Sequence, residues 1–502
     1  MSKFFKLCSC ESIKIWKKKS TKVMLIILIL SIFASAGIAA LTKKLYALND
    51  EFFASNDYKT MTKSDMETLK VDLETNKNSL DEASKNEMQA QIDIYQIALD
   101  YDINTYNTGL INTEWKATTL TTDIYYSKVN YYNYKSMGDE ESALKEQANI
   151  DKELDLIKNN DYTAYMKLQK DLLKQNYDNK LISEEEYEIS LHTLELKEKY
   201  EVGKEYNSEE TWKETLISEI ENLRYSINYG IDTNTRKALT EKDLKKAEDT
   251  IKINEYRLEH DMPPYTTGVS LGKTRKVFDY MVGGLTMMVL AVIIIIIAGS
   301  MVSSEVSKGT IKFWSFTPNK RWKILLSKLI TAVLTLVILT VFITLVSSLI
   351  GNIFFGSKDA QGYLYVSGGE VHSINYIAYM LLYNLVGALE IFMFLLLAIM
   401  LSTVARNTAV AVGISIAAYL GGSTITQILN MFVKSEWIKF IPFNNLSLTD
   451  RIFTNDVSYT ASSMVTSLTG NISVKFSLIL LGICAVIMIV TMFDSFRKRD
   501  II

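Results

Sequence analysis

The chain has 502 residues, 48% of them hydrophobic and 22% charged, with a formal net charge of −3. That average conceals two materials: residues 42–275 hold about 46 acidic and 31 basic side chains, the remainder about 11 and 23. Such a split excludes a uniform globular enzyme and points to a water-soluble acidic domain inserted into a basic membrane protein.

Residues 1–22 interleave Phe4, Phe5, Leu7, Ile13, Ile15 and Trp16 with lysines, the pattern of an amphipathic helix lying in a membrane interface on the cytoplasmic side. Cys8-Ser-Cys10 lacks zinc spacing. With Cys484 as the third cysteine, and His192, His260 and His372 far apart, no metal site is expected.

Six stretches reach the roughly 20 apolar residues that a bilayer core demands. They are residues 23–41, 278–300, 324–350, 374–404, 408–432 and 474–493. A cleaved signal peptide is the rival for the first, with Ala34-Ser35-Ala36 as its small-residue site. The apolar run continues through Ala39 and Ala40, past the 7–15 residues of a signal core, so a retained span is expected.

Between the first two spans, residues 42–277 form a domain large enough for its own core. Prolines are absent from it until Pro263, and Ser64 with Glu67 and Ser183 with Glu186 read as helix starts, with residues 179–182 as a turn. Leu191, Leu194, Leu196 and Tyr200, then Trp212, Leu216, Ile220 and Leu223, recur at helical spacing. These stripes predict a helical hairpin or coiled-coil-like packing, against a peptide-binding groove as the alternative. Residues 118–135, rich in Tyr and Thr, suit either a ligand-facing surface or a Tyr-rich core strand or helix.

Residues 266–276, TTGVSLGKTRK, come close to a phosphate-binding loop. Gly268 stands only three residues before Gly272, no apolar strand precedes, and the segment is expected outside the cell, so no nucleotide site is read there. Lys273, Arg275 and Lys276 are expected to meet lipid headgroups.

Orientation follows from the basic flanks, because Lys and Arg beside spans stay in the cytoplasm. Lys14, Lys17, Lys18, Lys19 and Lys22 precede the first span, and Lys308, Lys312, Lys320, Arg321 and Lys323 follow the second. Arg406 sits in the turn 405–407, and Arg497, Lys498 and Arg499 lie in the tail 494–502. Both termini are therefore expected inside, with residues 42–277 and the loops 351–373 and 433–473 outside.

The inner loop 301–323 and its continuation carry the most specific pattern: Glu305, then Gly309-Thr310, then Pro318, Arg321 and Lys328 leading into the next span. This resembles the type-2 exporter permeases of ATP-binding-cassette (ABC) transporters. The resemblance covers about half the chain and leaves out the acidic block. It implies a short coupling helix seated in a cleft of a separate cytosolic ATPase, which would hold ATP and Mg. It also implies a second permease, identical or related, and no cofactor bound by this chain. Ile311, Phe313, Trp314 and Phe316 would supply the burying face, Trp being a favoured interface anchor. The plainer alternative is a helix lying among lipid headgroups.

Within the spans, Glu390 is a carboxylate at membrane depth, expected to be protonated, paired with a Thr or Asn such as Thr331 or Thr335, or facing a watery path. Ala409, Gly413, Ala417 and Gly421 repeat every four residues, a helix-packing seam either within the chain or between two permeases. The expectation is an all-α protein of the bacterial plasma membrane with six spans, not an enzyme and not a nucleic-acid binder. Export of peptide, antimicrobial or lipid-linked cargo is the leading function. A non-transporting device that relays ATP binding to the outer domain, for signalling or control of envelope proteins, is the alternative.

Overall fold

The computed structural model describes residues 3–54, 57–106, 114–205, 211–233, 236–264, 274–310, 320–357, 360–432, 436–453 and 472–498. Among them one two-stranded hairpin interrupts an otherwise helical chain. Six helices are long and apolar enough to cross a membrane, and the protein is an all-α membrane protein.

Helix α1 (Lys3–Lys17) breaks at Lys18 into α2 (Lys19–Ala54), whose segment Lys19–Leu45 is the first span. The helix runs on past residue 41 because residues 42–54 contain no Gly or Pro to stop it.

The inserted domain follows as α3 (Asp57–Thr75), α4 (Glu82–Asp100), α5 (Trp115–Thr118), a π-helical turn (Thr119–Ile124) and α6 (Tyr125–Met137). Then come α7 (Glu140–Asn159), α8 (Tyr162–Asp178), α9 (Glu184–Lys199), α10 (Thr211–Tyr229) and α11 (Glu241–Glu259). Short turns force successive helices back on one another, and two apolar cores result. One gathers Ile94, Trp115, Leu120, Ile124, Ile150 and Met166. The other gathers Leu196, Trp212, Leu216, Ile220, Leu223 and Ile251, so most of the stripes read from sequence are core rather than groove.

Ser183 caps α9 in a reciprocal box with Glu186. Ser64 does not start a helix. It lies inside α3, where its carbonyl accepts from the Thr68 hydroxyl at 2.8 Å. Residues 118–135 are helical, with Leu120 and Ile124 buried and Tyr125 and Tyr131 packed against the first core.

The second span is built from α12 (Thr274–Met281), a π-helical turn (Val282–Thr286) and α13 (Met287–Ser300). A short α14 (Ser303–Ser307) precedes the third span, α15 (Arg321–Phe355). Strands β1 (Leu364–Ser367) and β2 (Glu370–Ser373) form a hairpin whose two-residue turn is Gly368-Gly369. Both glycines have positive φ, +64° and +91°, the conformation such tight turns require. The hairpin lies along α11, where Lys252 Nζ donates to the Gly369 carbonyl at 3.3 Å.

The remaining spans are α16 (Tyr376–Ala405), α17 (Thr408–Phe432) and, after two 3-10 turns and α18 (Leu448–Ile452), α19 (Val474–Lys498). Helices α13 and α16 form the centre of the bundle, with Leu290, Ile294, Leu395 and Ile399 buried in its core. The described part of the loop between α17 and α19 does not stand clear of the bundle. Phe443 sits against Gly422 of α17, and the Ser477 hydroxyl of α19 donates to Asn445 Oδ1 at 2.8 Å.

Candidate functional site

At the α1 end of the bundle four charged side chains alternate in sign. Lys328 Nζ, about two turns into α15, lies 2.9 Å from Glu11 of α1 and 2.9 Å from Glu305 of α14. Lys14 Nζ lies 2.8 Å from Glu11 and 3.1 Å from Glu305. Lys328 and Glu11 are almost wholly buried, so each charge depends on the others for what water would supply. Burial opposes the charge on Glu305, yet the two lysines outweigh it and hold the carboxyl below its ordinary value. Lys14 is partly desolvated, but its two carboxylates hold it above its ordinary value. The Thr331 hydroxyl also lies 3.4 Å from the Cys8 carbonyl, a second point at which α1 comes close to α15.

This clamp frames the loop singled out by sequence. Glu305 is half-buried within it. Gly309 ends the α14 turn with φ +69°, a left-handed position that favours glycine, and Thr310 Oγ1 donates to the Glu305 carbonyl at 3.3 Å. Arg321 opens α15 on an exposed face. Ile311, Phe313, Trp314, Phe316 and Pro318 lie outside the described residues.

At the other end of the bundle Arg275 and Lys276 do not face lipid headgroups. Arg275 is fully buried: Nη1 donates to Asn352 Oδ1 at 2.9 Å and to the Gly356 carbonyl at 3.1 Å, Nη2 donates to the Tyr376 hydroxyl at 2.8 Å, and Asp279 lies at 3.4 Å. The Tyr376 hydroxyl in turn donates to Asp279 at 2.8 Å. Lys276 donates to the Pro263 carbonyl. The pairing itself turns both side chains away from lipid. A guanidinium with five donors and a carboxylate one turn away can satisfy each other inside protein, and the ends of α15 and α16 supply the remaining acceptors.

Midway along α16, Glu390 lines a cavity of about 90 Å³ together with Tyr383 and Asn384 of the same helix, Tyr419 of α17, Thr449 of α18 and Gly283 and Gly284 of the second span. The pairing expected with Thr331 or Thr335 is not what the structure contains. Thr331 bonds the Ser327 carbonyl at 2.7 Å and Thr335 the Thr331 carbonyl at 2.8 Å, each hydroxyl folding back on its own helix.

The seam residues Ala409, Gly413 and Ala417 are exposed, and a Cβ built on Gly413 would meet nothing within 4 Å. Gly421 is half-buried and would touch only Ile425 of its own helix. The small-residue face of α17 is therefore not used for packing among the described residues. Close helix approach occurs on another face, where Gly299 of α13 would bring a Cβ within 2.7 Å of Val412.

Two features escaped the sequence reading although each left a trace. Glu11 is the single acidic residue among residues 1–22, a sign of a specific partner in a lysine-rich helix. Arg275 and Asp279 stand one helical turn apart at the head of an apolar span, the spacing of an internal pair.

Residues 251–502 match a family described as a protein of unknown function, DUF2705. This stretch contains the Arg275 cluster, Glu305, Lys328 and the Glu390 cavity. Among relatives in Bacillus subtilis (strain 168), the uncharacterized protein YhcI is 33% identical over 257 residues, covering 50% of this chain and 76% of the relative. The uncharacterized membrane protein YdbK is 32% identical over 214 residues, covering 42% of this chain and 78% of the relative. No solved structure matches the chain.

Proposed function

The chain belongs to the DUF2705 family, and we propose that it is the permease subunit of an ABC exporter in a bacterial plasma membrane, with both termini in the cytoplasm. A separate cytosolic ATPase binds ATP and Mg and closes on them; this chain holds no nucleotide and does no chemistry. The observation that carries the reading is the charged clamp. Glu305 before the loop and Lys328 after it pair with each other, and Lys328 also pairs with Glu11 of α1. The two flanks of the loop are thereby tied to α1 and α15, which is what a lever pushed by a partner protein requires. The unused small-residue face of α17 supports a second permease at that face. The inserted domain would then receive or guide peptide, antimicrobial or lipid-linked cargo on the outer side.

A second reading has its own support. The inserted domain is joined to the spans through Lys276, which donates to the Pro263 carbonyl just after α11, and through the hairpin against α11. Joints of that kind suit a device that relays ATP binding to the outer domain and moves no cargo.

The test is copurification of the chain with a cytosolic ABC ATPase from the same bacterium. Retention that is lost in Trp314→Ala together with Phe316→Ala, with membrane insertion unchanged, is the expected result. Undiminished copurification of that double variant counts against the placement of the coupling helix. Cargo-stimulated ATPase activity with transport into vesicles selects the exporter, and ATP-driven movement of the inserted domain without transport selects the relay.

A further inference from the structure

We propose that the cavity around Glu390 is a binding site for a small monovalent cation held by oxygen ligands. Glu390 brings a carboxylate, Asn384 an amide, Tyr383, Tyr419 and Thr449 hydroxyls, and none of the lining residues is basic. A carboxylate at membrane depth with no basic neighbour calls for a positive charge or a proton.

The amide of Asn384 is oriented by its partner. Thr344 spends its hydroxyl proton on the Thr340 carbonyl at 3.0 Å, so toward Asn384 it can only accept, which it does from Nδ2 at 2.9 Å. Asn384 Oδ1 is thereby directed away from Thr344. It has no hydrogen-bond partner, although Asn384 is only 1% exposed. A buried amide oxygen without a donor is costly, and a cation removes that deficit. This orphaned oxygen is a separate observation from the carboxylate, and both belong to residues of the same cavity wall.

The ligand types narrow the choice, and about 90 Å³ leaves room for an ion with water beside it. The donors are hard oxygens with no thiolate or imidazole, which excludes soft metals. A single lining carboxylate falls short of the charge that divalent oxygen sites collect. Asp450, exposed on α18 and within electrostatic reach of Glu390, adds negative potential on the side where the short helix covers the cavity. Arg451 beside it is engaged with the Ile472 and Asn444 carbonyls, each at 2.7 Å. In the second span the π-helical turn places Gly283 and Gly284 at the wall. A Cβ at Gly283 would stand 3.2 Å from the Tyr383 ring, so glycine there leaves the tyrosine its place.

The inference rests on this geometry alone and goes beyond the permease reading, and its test uses the full chain without any ATPase, so the two can fail separately. Thermal unfolding of the purified chain is compared in sodium, potassium and N-methylglucamine chloride at equal ionic strength and about pH 8. A saturable rise in Tm with sodium or potassium over N-methylglucamine is expected. That rise should be absent in Glu390→Gln, and its midpoint should move at least about tenfold in Asn384→Leu. If either span variant fails to fold, Thr449→Ala on the short helix serves in its place, with an expected midpoint shift of several-fold. Identical Tm values in the three salts, or a cation response unchanged in Glu390→Gln or in Thr449→Ala, overturn the proposal and leave a protonated Glu390 as the occupant of the cavity.

Discussion

Lys328 and Glu11, 317 positions apart in sequence, meet at 2.9 Å in a setting where each side chain is almost closed to water. Breaking such a pair from one side strands the other charge, a loss of about 3–5 kcal/mol. Lys328→Met should therefore destabilise the protein strongly, and Glu11→Gln combined with Lys328→Met should recover part of the loss. Thermal unfolding and protease access to α1 measure this, and equal stabilities for the single and double variants would refute the coupling. The pH dependence has a definite sign. Glu305 titrates below its ordinary value, so its contribution is complete above about pH 4.5 and is lost only as the pH falls through the depressed value. Lys14 titrates above its ordinary value, so its share is complete below about pH 10.5 and is lost as the pH rises beyond that. Neither group should change the protection of α1 between those limits.

Gly351 makes the Arg275 cluster possible. A Cβ at that position would stand 2.5 Å from the guanidinium carbon, and the guanidinium is fixed by Asn352, Gly356, Tyr376 and Asp279. With nowhere for Arg275 to go, Gly351→Ala should cost about 1–3 kcal/mol, the range for overpacking. Gly413→Ala, at a position with open space, should cost nothing comparable. Hydrogen exchange over α12 and the end of α15 should quicken in the first variant alone. Equal exchange in both would show that the cluster does not tie α12 to the ends of α15 and α16.

Glu153 on α7 is pushed up to about 7, first by burial and then by the charges of Asp123 and Glu146. Its folded-state value is raised, so the folded domain holds a proton that the unfolded chain releases. Stability therefore falls as the pH rises from about 4.5 to 7. Discounted by about half for partial exposure, the effect is of order 1–2 kcal/mol. Glu153→Gln should remove it. Hydrogen exchange of α7, compared between wild type and variant at the same pH, should show greater protection in the variant at neutral pH and no difference near pH 5. Equal protection at both would exclude the buried carboxyl as the source.

What the sequence made legible is what a single helix or span carries within itself. Length and apolarity mark α2, α13, α15, α16, α17 and α19, and the Ser183–Glu186 cap marks the start of α9, because these depend on neighbours within a few residues. The stripe Trp212, Leu216, Ile220 and Leu223 is core for the same reason. The clamp was not legible, because Glu11 and Lys328 acquire meaning only when α1 is laid against α15. Arg275 misled because a basic residue beside a span normally meets water or lipid headgroups, and only the ends of α15 and α16 supply the acceptors that let it turn inward. Glu390 was visible as an anomaly, but its surroundings were not: Thr449 reaches it from a loop, and no local pattern forecasts a loop that folds back into the bundle.

The α17 face formed by Ala409, Gly413 and Ala417 provides the last test. Small residues four apart let helix backbones approach closely in lipid, where no hydrophobic effect drives association and contact itself supplies the energy. Among the described residues this face is unused and a Cβ at Gly413 would meet nothing within 4 Å. Gly413→Ile should therefore leave the thermal stability of the single chain unchanged while separating it from a second permease. In a background with Cys8, Cys10 and Cys484 replaced by serine, Ala417→Cys should give a disulfide-linked pair in membranes under oxidation, or a link to a related permease carrying the matching cysteine. Adding Gly413→Ile should reduce that product about tenfold. A cross-link that survives Gly413→Ile undiminished would place the partner on a different helix.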